Sequence, residues 1–563
     1  MPLLNQKNTK WLTAIGLTIA VLATRIPFVS EMLFEFDSVN FAVATFRFSL
    51  EQVTPHFPGY ILHILLARFF LFFTTDHNSV FILLSVFLSI GSVLFMWRAG
   101  AWLRGERLGV ITALLWLTTP MFWFYGEVAT AYIHEAFFAS AILYFGIKLL
   151  RKKKDDYTLV LLLIFYSLSI AARQSSVIFF APAIFYLVLK TRQSLRSYSI
   201  AFISFLVVTA VWGGLLFHES GGWHQYLAAF GRENVYQSQS ILFGNSVREH
   251  LAIIGKVFMY SFIGSLSVTL VSIISIGFFP SQTFRFIKDQ TRKSSFRFVL
   301  LVGLTPFLFY VLFYFMKAGY LLNVLPSVIL CGACLLDMLA IWFAERKKSL
   351  IENRLLLTRK LITRNITILL CGVMVFNTIW FFVPLPGKRF EIFAEKFTLQ
   401  SFKFELRSNQ DITLADDIIN RLFAYTSRQG FDAMDSIHHS VASMLQHEGT
   451  DPEATVILDT WYQRFNYYYN PKAIVYNIQS GEADTVWYKS RQHEYTNEVV
   501  GSVIEIPPET KNVLFFIRHD HPDMKSIEGQ VTLERIPMPE YLDVYRITDD
   551  HFILRWKNIR IVK

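Results

Sequence analysis

A single carboxylate stands in a polar break between two strongly apolar stretches near the start of the chain. Asp37 follows the first apolar run, and His56 lies further along the same break in a Pro-His-Phe-Pro-Gly turn. A carboxylate just past a membrane helix is costly unless it has a partner or a task. Asp37 fits a general base, or a carboxylate that orients a hydroxyl group. The alternative is a helix cap, because Asp37, Ser38 and Asn40 are residue types that cap surface helices.

His56 and a second polar stretch supply further candidates. His56 can donate to a phosphate or orient the acid, and its alternative is a solvated loop histidine. Glu127 lies seven residues before His134 and eight before Glu135, so a helix would place all three on roughly one face. A divalent metal is an alternative for them, but no further ligand at fixed spacing accompanies them. We therefore expect at least one of the three to act as a structural cap.

Two cations lie in very short turns between apolar runs. Arg173 lies in Ala-Ala-Arg-Gln-Ser-Ser, and Lys317 shares its turn with Tyr320. Cations in such turns can bind a phosphate at the depth of lipid headgroups. The alternative is that they snorkel to the headgroups. A tyrosine run at 467–469 with Trp461 can stack on sugars, although a β-sheet core or an interdomain contact is the favoured interpretation.

Composition identifies the class of protein that must position these groups. The chain has 563 residues, of which 53% are hydrophobic, and a mean hydropathy of +0.39, which indicates a polytopic membrane protein. Its formal charge is +10, yet the part from Gly387 onward is net acidic. The basic excess therefore lies in the membrane part, where positive cytoplasmic loops explain it without nucleic acid. The three cysteines lie in apolar segments, so no disulfide framework is expected in the soluble part.

Apolar runs and loop charges predict eleven membrane spans. They lie near 11–29, 79–97, 108–125, 136–150, 157–172, 175–190, 199–217, 251–280, 298–316, 320–343 and 361–383. No small-residue cleavage site follows the first run, so we expect a retained helix. If 59–73 lies at the outer surface instead of spanning, every strongly basic loop faces the cytoplasm and 30–58 faces outward.

The residues after the last span have the composition of a soluble domain. Pro-Leu-Pro-Gly at 384–387 ends the last span, and short β-branched runs follow at 454–460, 472–478 and 512–518. We predict a mainly α, polytopic domain over 1–385 and an extracytoplasmic α/β domain with a mixed or parallel sheet over 386–563.

Several of these features together resemble a known family. They are the acid in Phe-Asp-Ser at 36–38, the His-Phe-Pro-Gly-Tyr turn at 56–60, the basic loop at 104–109, and an acid-containing second outer loop. The pattern resembles the GT-C membrane glycosyltransferases, among them protein O-mannosyltransferases, aminoarabinose transferases and their bacterial relatives. The resemblance covers 1–385 and is strongest over 25–135. Family members often have His-Pro-Pro where this chain has His-Phe-Pro, and some have Asp-x-Asp where it has Glu127 and Glu135.

The resemblance implies sugar transfer from a polyprenyl-phosphate donor to a glycan, lipid or protein acceptor, at the outer face of a bacterial plasma membrane. It implies Asp37 as the catalytic carboxylate. It also implies phosphate binding by cations, for which the chain offers His56, Arg173 and Lys317, with Tyr320 as a further phosphate-binding residue. Glu127, His134 and Glu135 are then second-loop or acceptor groups. No cofactor is expected. The alternative functions are a transporter or flippase, and a polymerase or ligase, of lipid-linked saccharides.

Overall fold

The computed structural model divides the chain into two compact units. It describes residues 6–152, 155–238, 247–313, 317–348, 355–383, 425–447, 449–460, 463–479, 485–491, 494–496, 503–517, 524–538, 543–556 and 559–563. The first unit comprises Met1–Ser30, Phe57–Pro384 and Arg421–Gln429. The second comprises Glu31–His56, Leu385–Asn420 and Gly430–Lys563, so the polar break that carries Asp37 groups with the C-terminal residues.

Helices make up the described part of the first unit. They are α1 (Gln6–Arg25), α3 (Ile61–Phe70), α4 (His77–Arg104), α5 (Glu106–Leu117), α6 (Pro120–Tyr125), α7 (Ile133–Lys152), α8 (Asp156–Ala172), α9 (Ser176–Lys190), α10 (Leu195–Glu219), α11 (Trp223–Ser238), α12 (Val247–Gly264), α13 (Leu266–Phe278), α14 (Pro280–Thr291), α15 (Ser294–Leu312), α16 (Leu325–Lys348) and α17 (Leu355–Phe382). Two short 3-10 helices, Ile26–Phe28 and Ala318–Asn323, lie between them.

Seven of the described helices are long and apolar enough to cross a membrane, namely α1, α4, α7, α10, α15, α16 and α17. A bent pair, α12 and α13, makes an eighth if it is counted as one span. The protein is therefore an integral, multi-pass membrane protein. Side-chain hydroxyls and carboxylates start several of these helices: Asp76 accepts from the amide of Ser79 at α4, and Ser194 from the amide of Ser197 at α10.

Two of the predicted continuous spans are wrong. The span predicted over 251–280 is two helices inclined by 84°, with the break at Ser265. The hydroxyls of Ser261 and Ser265 donate back to carbonyls of their own helix, a pattern that bends helices. The span predicted over 108–125 breaks between α5 and α6, because Pro120 disfavours helical backbone in the residue before it.

The segment predicted to lie at the outer surface contains the short helix α3. Its ten residues extend about 15 Å, roughly half the thickness of a bilayer's hydrocarbon core. α3 is therefore shorter than a span. Its position at the outer surface stays a prediction.

α7 is the most buried of the candidate spans and packs against α4, α8 and α15. Polar groups join the helices there: the hydroxyls of Ser92 and Ser140 lie 2.9 Å apart, and the indole of Trp116 donates to Ser92 at 2.9 Å. Small residues allow α4 and α5 to approach closely, since a Cβ on Gly100 would lie 2.9 Å from the Cα of Gly109. This core carries two of the predicted site residues, His134 and Glu135.

The second unit contains α2 (Phe36–Phe46) and a C-terminal α/β region. Its helices are α18 (Arg428–His447), α19 (Gln463–Tyr469) and α20 (Met524–Glu528). Its strands are β1 (Thr455–Asp459), β2 (Ile474–Gln479), β3 (Thr485–Arg491), β4 (Glu494–Thr496), β5 (Val503–Glu505), β6 (Asn512–Phe516), β7 (Leu533–Ile536), β8 (Val544–Ile547), β9 (Ile553–Trp556) and β10 (Ile559–Val562).

The strands form a mixed sheet, as predicted. The main sheet has the order β4-β3-β2-β1-β6-β8-β7, and a second sheet has the order β5-β10-β9. β1 is central and parallel to both neighbours, with Val456 paired to Ile474 on one side and Val513 on the other. All five residues of β1 are buried, as expected for a parallel strand covered on both faces. The predicted fold class, a helical membrane domain with a C-terminal α/β region, is confirmed.

Candidate functional site

Asp37 lies in the first turn of α2 and does not cap it. The N-cap is Glu35, whose side chain accepts from the amide of Ser38, while the hydroxyl of Ser38 accepts from the amide of Glu35. This reciprocal pair satisfies the start of the helix. Of the residues named for a helix cap, Ser38 takes part in it, whereas Asp37 is not the N-cap. Its carboxylate is placed where the helix dipole favours negative charge, and its side chain is 18% exposed.

His56 lies beside this carboxylate. Its Nδ1 is 3.6 Å from Oδ1 of Asp37, and its side chain is 23% exposed. A backbone pair between Ser49 and Thr54 closes the intervening loop, in which Val53 has a left-handed φ of 60°. Such a φ is rare for a β-branched residue, and strain of this kind concentrates at functional sites. Asp37 and His56 thus form an accessible carboxylate–imidazole pair, an arrangement that can accept and hold a proton.

Glu135 is the centre of a buried polar cluster in the first unit. Arg173 donates to its Oε1 at 3.4 Å, and Asn323 donates to its Oε2 at 3.1 Å. Asn323 also donates to the hydroxyl of Tyr310 at 2.7 Å. The guanidinium of Arg173 stacks over the ring of Tyr320, 3.7 Å from its centroid. The structure thereby brings together Glu135, Arg173 and Tyr320, which are far apart in sequence.

Lys317 immediately precedes the 3-10 helix that carries Tyr320 and Asn323. Its carbonyl accepts from the amide of Tyr320 at 3.1 Å, and its side chain is half-buried. Arg173, by contrast, ends α8 and is only 12% exposed. Of the two predicted cations, Arg173 is the one that pairs with the buried carboxylate of Glu135 and stacks on the ring of Tyr320.

His134 contacts a histidine that we did not predict from the sequence. Its Nε2 lies 3.1 Å from Nδ1 of His63 on α3, and both side chains are buried. The ring of His63 also stacks on Phe81 at 4.9 Å. The sequence signal for His63 is a lone histidine in the apolar run Ile-Leu-His-Ile-Leu-Leu. Asn323 and Tyr310 carried no such signal, because both lie among ordinary apolar and aromatic neighbours.

Glu127 belongs to a separate buried group. The indole of Trp123 donates to its Oε1 at 2.7 Å, and the guanidinium of Arg25 stacks 4.8 Å over the Trp123 ring. Arg25 is fully buried and donates to the carbonyl of Leu117 at 2.8 Å. Removing either charge would leave the other buried without compensation, which is strongly destabilising.

The expectation that Glu127, His134 and Glu135 share one helical face is wrong. α7 begins only at Ile133, so Glu127 lies in the turn before it. The three side chains have different partners and do not form one set of ligands. Within the part of the chain that the structure describes, no group of three or more His, Cys, Asp or Glu side chains could hold a metal ion.

The tyrosine run contributes to packing within the second unit. Tyr467 is 1% exposed and packs with Val43 of α2, and Tyr468 packs against the same pair. The run lies on α19, not on a strand. Trp461, which was grouped with these tyrosines, lies outside the described residues.

Comparisons with known proteins identify the fold. No protein-family model matches the sequence, and no curated protein matches it. ArnT from Cupriavidus metallidurans in the apo state aligns at a TM-score of 0.55 with 12% identity, over 96% of this chain and 98% of that one. ArnT bound to undecaprenyl phosphate aligns at 0.53 with 11% identity, over the same shares. An oligosaccharyltransferase from Archaeoglobus fulgidus aligns at 0.42 with 12% identity, over 75% of this chain and 64% of that one.

The alignment with ArnT spans nearly the whole of both chains, so it includes both units. The chain has the fold of ArnT, a GT-C membrane protein. The resemblance predicted from the motifs at 36–38 and 56–60 is confirmed at the level of the fold.

Proposed function

We propose that this protein is a membrane glycosyltransferase that transfers a sugar from a polyprenyl-phosphate donor to an acceptor hydroxyl or amine. The observation that carries the proposal is the partly exposed Asp37 carboxylate with His56 beside it at 3.6 Å, on a chain with the fold of ArnT. The structure of ArnT with undecaprenyl phosphate supports a lipid phosphate as the donor's carrier.

The reaction needs a base more than it needs an acid. The acceptor oxygen or nitrogen attacks the anomeric carbon, and the bond from that carbon to the phosphate oxygen breaks. The electron pair leaves with the lipid phosphate, and the acceptor's proton goes to the Asp37–His56 pair. A carboxylate that takes this proton or orients the acceptor typically contributes about 10² to 10⁴ in rate.

The leaving phosphate needs cations and hydrogen-bond donors. Arg173, Lys317, Tyr320 and His56 are our candidates, and Arg173 is the strongest because Tyr320 and Glu135 fix its guanidinium. Guanidinium groups bind phosphate through paired, charge-assisted hydrogen bonds. We assign His134 and Glu135 a supporting role through their buried partners, and Glu127 a structural one.

A transporter of lipid-linked saccharides is the second candidate. The bent pair α12 and α13 favours it, because transporters build their sites from broken helices. A polymerase or ligase would differ in using a diphosphate donor. A transporter moves the donor unchanged, whereas both enzyme classes release the lipid carrier.

The substitution Asp37→Asn separates catalysis from structure. It keeps the shape of the side chain and leaves the Glu35–Ser38 cap intact. We expect normal insertion and folding, nearly unchanged donor binding, and a loss of transfer of about 10²-fold or more. Transfer rate and donor affinity are measured on the same purified variant. Full activity in Asp37→Asn would remove the main residue-level support for the proposal.

A double substitution tests Arg173 as a phosphate ligand. Arg173→Gln alone strands the buried Glu135 carboxylate, and breaking a buried pair costs about 3–5 kcal/mol of stability. Adding Glu135→Gln removes that charge, so we expect the double variant to recover most of the melting temperature. We expect its binding of undecaprenyl phosphate to stay about ten- to hundredfold weaker. Recovery of both stability and binding would make Arg173 a structural partner of Glu135 only.

We also propose the orientation of the protein in the membrane. Positive loops favour cytoplasmic positions for the loops at 151–154 and 346–360, and an outer position for the C-terminal region. A bacterial plasma membrane and a domain boundary near 385 belong to the same proposal. A cysteine introduced at Thr450 should react with an impermeant thiol reagent added from outside. Labelling from the cytoplasmic side alone would contradict this orientation.

A further inference from the structure

Three successive backbone amides just before α2 are bound by side chains from the C-terminal region. The amides of Glu31 and Met32 donate to Oδ2 and Oδ1 of Asp435 at 2.7 and 3.0 Å. The amide of Leu33 donates to the hydroxyl of Tyr469 at 3.1 Å. Asp435 lies on α18 and is only 8% exposed, and Tyr469 ends α19. Both carboxylate oxygens of Asp435 thus accept hydrogen bonds from the segment that precedes α2, and Glu31 and Asp435 are 404 residues apart in the sequence.

Apolar packing continues this attachment along α2. Val43 and Tyr467 are fully buried against each other. Between α18 and α19, the buried ring of His438 stacks on the ring of Phe465, with 3.8 Å between their centroids. Burial lowers the pKa of His438 to about 3, against a smaller opposite effect of the Leu33 backbone, so this ring is neutral at physiological pH.

One further contact is weaker. Nε2 of His439 lies 3.0 Å from Oε2 of Glu31, but the two side chains are 54% and 76% exposed. Exposed ion pairs of this kind contribute little. The Asp435 contact is stronger than this exposed pair, since its charge-assisted bonds are buried and engage two backbone amides.

We propose that Asp435, assisted by Tyr469, is a positioning residue for sugar transfer. This inference rests on the proposed function of Asp37. Asp435 fixes the backbone of 31–33, which leads directly into the first turn of α2, where Asp37 lies. A catalytic carboxylate loses rate steeply when it is displaced by a fraction of its contact distance. The C-terminal region thereby sets the position of Asp37.

The test compares Asp435→Ala and Asp435→Asn with the wild type. Two properties are measured on each purified protein: hydrogen–deuterium exchange of the peptide 31–46, and the kinetics of sugar transfer. We expect Asp435→Ala to raise amide exchange in that peptide and to lower kcat about tenfold or more, with binding of undecaprenyl phosphate unchanged within about twofold. Asp435→Asn keeps one acceptor oxygen, so its effect should be intermediate. A role limited to global stability would not produce this separation of kcat from donor affinity.

Ser440→Ala is the matched control on the same helix. The hydroxyl of Ser440 donates to the carbonyl of Ser436 within α18, so its loss should change neither exchange in 31–46 nor kcat. If Asp435→Ala does not fold, Tyr469→Phe decides the question, because it removes the hydroxyl that accepts from the Leu33 amide and keeps the aromatic ring. Unchanged exchange, or raised exchange with an unchanged kcat, would overturn the proposal. If the wild type itself transfers no sugar, the proposed function fails, and the exchange data alone still decide whether Asp435 holds the segment.

Discussion

A carboxylate buried in an apolar helical unit must be neutralised by partners, and Glu135 draws those partners from several segments. It lies on α7, Arg173 ends α8, Asn323 lies on a 3-10 helix, and Tyr310 lies on α15. An unpaired charge in such a place would cost several kcal/mol. The pairing therefore fixes how these segments converge, and it holds the Arg173 guanidinium against Tyr320 in one orientation.

The second unit satisfies a different requirement. Under the proposed function, Asp37 has to remain partly exposed to reach an acceptor, so burial cannot hold it in place. Its helix is fixed instead by the Glu35–Ser38 cap, by the packing of Val43 and by the amides bound to Asp435. Rigidity is thus supplied by groups around the carboxylate, and the carboxylate itself stays 18% exposed beside His56.

The sequence predicted much of the architecture because apolar runs and loop charges are local signals. Each predicted span overlaps a helix or a helix pair, and the mixed C-terminal sheet was expected from short β-branched runs. Of the eleven predicted spans, however, seven match described helices long enough to cross a membrane, or eight with the bent pair, and α8 and α9 are shorter. The break at Ser265 was missed, because serine back-bonding leaves hydropathy unchanged. The pairs His63–His134, Arg173–Glu135 and Asp435–Glu31 were also missed, since a single sequence carries no record of which distant polar residues meet.

The proposed reaction cleaves the bond between a sugar and a polyprenyl phosphate. The most direct measurement incubates the purified protein with undecaprenyl-monophosphate sugars, labelled in the sugar, and with a membrane extract as the source of acceptors. The matched reaction uses undecaprenyl-diphosphate sugars. We expect free undecaprenyl phosphate to appear in step with labelled acceptor, and only from the monophosphate donors. Intact donor in both reactions, with labelled lipid moving unchanged across the bilayer of proteoliposomes, would contradict the account.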